Sequence, residues 1–164
     1  MGLSLPGELA SLLSMLGYTW PKGDEQKLFE MGQKWMDFSN TLKDVAQNGQ
    51  KTASQVWEQN KGANIEAFKK HFEADDGPTK VLDGASTAST VLGAGMMICA
   101  GIMLALKIST ITQLVTLAIE IAQAIASAVV TFGASLAEIP IFEEITKRIV
   151  GEIIQQVINK LMEA

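Results

Sequence analysis

His71 is the only histidine in this chain of 164 residues, and Cys99 is its only cysteine. Metal sites built from several imidazoles, and nucleophiles activated by a histidine with a further partner, need more than that. Cys99 lies inside an apolar run, where burial leaves a thiol unreactive, and it has no second cysteine with which to form an intrachain disulfide. Asp75-Asp76 has the chemistry to hold a cation, but beside Gly77-Pro78 such a pair reads as a solvated turn. Glu120 interrupts an apolar stretch. On a membrane helix it would mark a functional site; in a soluble bundle it surfaces at the edge or meets Lys107 or Gln113. Met96, Met97 and Met103 read as fillers of core gaps. No catalytic constellation, cofactor site or metal site emerges, and the chain reads as non-enzymatic.

One stretch dominates the elements that carry these residues. Residues 84–106 hold no charge, and after Lys107 a second apolar run reaches Val130, broken by Gln113, Glu120 and Gln123. A run of ~20 apolar residues is long enough to cross a bilayer. It equally suits the centre of a soluble helical bundle, the other home of a helix that is apolar all round. Glu120 and Gln123 favour shelter by protein, within one chain or across a dimer.

Charge concentrates on either side. Residues 1–76 carry eleven acids against eight lysines, residues 138–164 five acids against three bases, and the middle only Lys80, Asp83, Lys107 and Glu120. There is no basic patch, which excludes nucleic acid as a partner. The opening MGLSLPGELASLLSML lacks a basic start and holds Pro6 and Glu8, so it is not a secretory signal peptide. Export then needs a non-classical route.

The chain reads as one helical domain over residues 1–164. Pro6–Leu16 forms a short helix with Leu9, Leu12, Leu13 and Leu16 on one face, stopped by Gly17. Trp20, Pro21 and Gly23 form a structural turn, with Asp24 as the next N-cap. Leu28, Met31, Trp35, Phe38, Leu42, Val45 and Val56 then follow an a/d frame, the pattern of a helix packed lengthwise on another. Gly49 and Thr52 occupy the same frame and favour close approach of a neighbouring backbone.

Ile65, Phe68 and Phe72 repeat the spacing, so residues 24–74 read as an antiparallel hairpin turning at Asn60–Gly62. Apolar central helices over 78–131 follow, with a row of small residues at Ala85, Ser89, Gly93 and Gly101 suited to close packing. Gly133 stops them. Ser135 and Glu138 have capping-box spacing, and an amphipathic helix over 141–162 closes the fold. Nothing alternates at strand period. The expected class is all-α, an elongated helical bundle.

Three segments together resemble a known family. The run Trp20-Pro-Lys-Gly-Asp-Glu25 ahead of the Trp35 helix, the turn at Trp57, and Phe132–Pro140 are similar to the WXG-type targeting domains at the N-termini of Gram-positive polymorphic toxins. Two features depart from that pattern. Glycine follows Trp57 at Gly62, five residues on instead of two, and Tyr18 is followed four residues later by Lys22 where the family's secretion tail has an acid.

The resemblance implies a soluble helical module for type VII secretion targeting or effector association, secreted or on the cell surface. Its implied partners are the secretion machinery, a small helical WXG-type protein, or a second copy of the chain in a homodimer. Docking would use Trp57, Asn60, Lys61 and Gly62. In that family a toxin usually follows on the same chain, so with Ala164 straight after the last helix the expectation is a standalone member or the targeting piece of something longer. The alternative is a membrane-inserting or pore-forming helical protein that uses residues 84–130.

Overall fold

The structure, a computed structural model, describes residues 2–163. The chain is all-α, with no strand among the described residues. Helix α1 is Gly7–Met15, α2 Glu25–Gln59, α3 Ala63–Phe72, α4 Pro78–Ser127 and α5 Ile139–Glu163, with a short 3₁₀ turn at Ala134–Glu138. Contacts divide these elements into two compact units. One is built from the N-terminal segment through Lys27 and the chain from Ile98 onward, the other from Leu28–Met97.

Local chemistry sets the helix ends. Gly17 takes a left-handed φ of 87° after α1, and the amides of Gly17 and Tyr18 return to the carbonyls of Ser14 and Leu13. That is a Schellman stop, which favours glycine at the left-handed position. The Asp24 carboxylate accepts from the Lys27 amide at 3.1 Å and caps α2. Between α3 and α4, Gly77 fits a turn where a Cβ would lie 2.2 Å from the Phe72 carbonyl oxygen.

Helix α4 runs through Lys107–Ser109 without a break, because β-branched residues lower helix propensity only modestly. Its far end is a second Schellman-type stop, with the Gly133 amide bonded to the Ala128 carbonyl. The left-handed position there is filled by Phe132, at φ 52°. Ser135 does not cap α5: its hydroxyl bonds the Ala124 carbonyl at 2.8 Å, closing the end of α4 instead.

In the unit that contains both termini, the α1 stripe packs on α4 and α5. Leu13, Leu16, Leu114, Leu117 and Val150 form the buried centre, flanked by Leu9, Leu12, Trp20 and Phe142 among others. Tyr18 donates to the Lys147 carbonyl at 3.2 Å, and Gly151 leaves the space for its ring and hydroxyl.

The Leu28–Met97 unit is built differently. Here α2 and the first half of α4 run antiparallel, and their buried line consists of small residues. On α2 these are Gly32, Ser39, Ala46 and Ala53, one heptad apart; on α4 they include Ser86, Ser89 and Gly93. A Cβ on Gly32 would lie 2.8 Å from the Gly93 carbonyl oxygen, and one on Gly93 2.7 Å from that of Gly32. Ser39 Oγ lies 2.9 Å from the Ser86 carbonyl oxygen and 2.8 Å from Thr90 Oγ1, so the buried hydroxyls are satisfied within the contact. Close packing of this kind depends on small side chains, which allow two backbones to touch. Gly49, expected to admit a neighbouring backbone, has none nearby.

Candidate docking surfaces

Packing through small residues pushes the large ones aside. The a/d frame of α2 is not the buried line. That line lies one residue further along the helix, and Met31, Phe38, Val45 and Val56 are left exposed, with Leu28, Trp35 and Leu42 half-buried. An apolar seam of heptad regularity therefore runs along α2 without a facing helix within its own unit. Trp35 and Phe38 meet edge to face, with ring centroids 5.9 Å apart, and with Lys34 they line an apolar hollow of about 300 Å³.

The same displacement affects α4. In its first half the small or polar residues turn inward and Val91 and Ile98 are exposed; further along, Leu114 and Leu117 are buried while Ile108, Ile119 and Ile125 are exposed. Only 17% of the most apolar window of this 50-residue helix is buried. Of the two shelters expected for 84–130, within one chain or across a dimer, the first does not extend over this window, and the second stands as the expectation. The helix carries too many large apolar residues for the faces that its close neighbours cover.

At the end of α2, Trp57 packs against Phe68 and Phe72 of α3, with centroids 5.9 and 5.8 Å away. Lys69 Nζ stands 5.8 Å from the centre of the Trp57 ring, a cation–π distance. The Asn60 side-chain amide donates to the Val56 carbonyl at 2.9 Å and finishes α2. Gly62, at φ 131°, starts α3 and accepts from the amides of Ile65 and Glu66. Trp57, Asn60, Lys61 and Gly62, together with Ile65, Glu66 and Lys69, line a cleft of about 300 Å³. Trp57 is half-buried, one face on the aromatic cluster.

Trp20, Pro21 and Gly23 lie elsewhere, in the segment ahead of α2. Trp20 and Gly23 converge on Lys107, which is 2% exposed in the middle of α4. Its ammonium donates to the Gly23 carbonyl and to Glu25 Oε2, both at 2.6 Å, and stands 5.8 Å from the Trp20 ring centre. The second Glu25 oxygen accepts the Leu3 amide. That bond and the lysine hold the Glu25 carboxyl down to about 2. Lys107 is therefore paired with Glu25, not with Glu120 or Gln113. Gly23 also admits Met103, whose sulfur would lie 2.5 Å from an added Cβ.

His71 and the Asp75-Asp76 pair are exposed. Sequence reasoning missed Glu25, Lys107 and the line Gly32–Ser39–Ala46–Ala53. The heptad spacing of small residues and a lone lysine in an apolar run were the available signals.

A family model described as the WXG100-like domain matches residues 5–149, which spans all these surfaces except the last turns of α5. The chain belongs to the WXG100-like domain family. Members of that family are helical proteins of type VII secretion, which typically pair as helical-hairpin dimers and work with the secretion machinery. No curated protein and no solved structure matches the chain. In this WXG100-like chain the tryptophan-to-glycine turn is Trp57–Gly62, and α2 meets the first half of α4 through Ser39 and Ser86, with α3 between the two in the chain.

Proposed function

We propose that this WXG100-like chain acts by docking, as a non-enzymatic helical module for type VII secretion targeting or effector association. The largely uncovered seam of α2 carries the proposal: seven large apolar residues in an a/d frame, four of them exposed, beside a line of small residues already filled by α4. Such a stripe suits a second helical hairpin, either a small WXG-type partner or another copy of the chain. The Trp57–Gly62 cleft at the end of the seam is the proposed point of contact with secretion machinery. A polymorphic-toxin context would place cargo in association with the module.

Mixing the detergent-free chain with a small WXG-type partner, and measuring mass by light scattering, tests this reading. A complex or homodimer abolished by Phe38→Glu and Met31→Glu is the expected result. A chain that stays monomeric, with those variants unchanged, would reject it.

The exposed aliphatic face of α4 supports a second reading, insertion into a membrane through residues 84–130. Dye leakage from liposomes that is sensitive to Gly93→Leu or Glu120→Gln would favour it over docking.

A further inference from the structure

Both ends of the segment that carries α1 return to one buried ion pair. Ahead of the helix, the Leu3 amide donates to Glu25 Oε1. After it, the Gly23 carbonyl accepts from Lys107 Nζ at 2.6 Å, and the Trp20 ring centre lies 5.8 Å from the same ammonium. Lys107 completes the set by donating to Glu25 Oε2. The chain passes so close over the start of α2 that a Cβ on Gly2 would lie 2.6 Å from that oxygen. Residues 3–23 thus form a loop whose neck is drawn shut on Lys107 and Glu25.

The helix inside this loop is lightly held elsewhere. α1 has nine residues, and among its described residues it has no side-chain cap at its start and buries only Leu13. Leu9 and Leu12 are half-buried, and Met15 is exposed. A helix of that length is marginal in water by itself, so α1 persists only where it is seated. Packing does not close the neck either. Leu3, Leu5, Trp20, Pro21 and Lys107 are among the residues around a hollow of about 420 Å³ there.

Lys107 is the one charged residue between Asp83 and Glu120. An apolar pair of similar size would pack in its place at least as well as an ion pair, but it could not hold the Gly23 carbonyl and the Leu3 amide. We propose that the Lys107–Glu25 pair is the clasp of a flap. It keeps residues 3–23 down on α4 and α5, and when it breaks α1 lifts as one unit and uncovers Leu114, Leu117 and Val150. A carboxylate left alone at Glu25 needs water, and raising the neck above it admits water. The device is separate from the α2 seam and needs no partner.

Hydrogen exchange on the full chain tests the clasp. Lys107→Met should speed exchange of the amides from Ala10 to Tyr18 at least about tenfold, while residues 28–97 keep their wild-type protection. Leu3→Pro and Leu3→Ala both remove the leucine side chain, but only proline also removes the amide donor. Leu3→Pro should therefore speed exchange of α1 several-fold beyond Leu3→Ala, with the ion pair itself intact. The proposal is overturned if α1 exchanges at the wild-type rate in Lys107→Met, if protection is lost equally over 28–97, or if Leu3→Pro behaves like Leu3→Ala.

Discussion

Gly32 of α2 and Gly93 of α4 meet backbone to backbone, each leaving no room for a Cβ against the other's carbonyl. This contact fixes how closely the two helices approach and which side chains are displaced to the flanks. The uncovered apolar seam of α2 is thus a consequence of the glycine pair.

Substitution at glycine separates contact from propensity. Alanine in a helix interior is favoured over glycine by ~1 kcal/mol, so Gly101→Ala, which faces open space, should stabilise the chain by about that amount. Gly93→Ala should instead destabilise by about 1–3 kcal/mol through overpacking against α2. Urea denaturation of both variants is the check, and equal gains at the two positions would remove the close contact.

Lys107 and Glu25 form a buried ion pair, with 2.6 Å between Nζ and Oε2. Removing one partner leaves a buried charge alone, so Lys107→Met should cost about 3–5 kcal/mol. The double variant with Glu25→Gln should cost less than the sum of the single changes. The Glu25 carboxyl lies below its usual 4.5, at about 2, so its contribution to stability is complete above about pH 4.5 and is lost as pH falls toward 2. Acid titration of the helical signal should show that limb in the wild type, and Glu25→Gln should flatten it.

The ends of the helices were largely legible in the sequence. Gly17, Asp24, Gly62 and Gly77-Pro78 punctuate the chain through backbone needs that are local to each turn. The buried face of α2 was not legible. Hydrophobic periodicity points to Leu28, Met31, Trp35 and Phe38, while close backbone contact selects Gly32 and Ser39 next to them; the sequence carries both patterns, and only the partner helix decides between them. The Lys107 partner lies 82 residues away, beyond any local rule, so a nearer acid was the natural expectation. Phe132 was hidden by Gly133, which offered a simpler stop.

Trp57 is half-buried on Phe68 and Phe72, and its truncation should cost less than the ~3–5 kcal/mol of a fully buried tryptophan. Trp57→Ala is expected to lose about 1–3 kcal/mol and to keep the helical content. If the Trp57–Gly62 cleft docks secretion machinery, the same variant should lose export of an attached cargo more completely than its stability loss explains. Secretion and melting temperature measured on the same variant separate the two effects.

Hydrogen exchange on the chain, free and mixed with a small WXG-type partner in the absence of detergent, tests the docking claim most directly. Protection gained along residues 28–56, and lost with Phe38→Glu, is the result that docking through α2 predicts. Unchanged exchange over 28–56, with protection of 84–106 appearing only when vesicles are added, would contradict it.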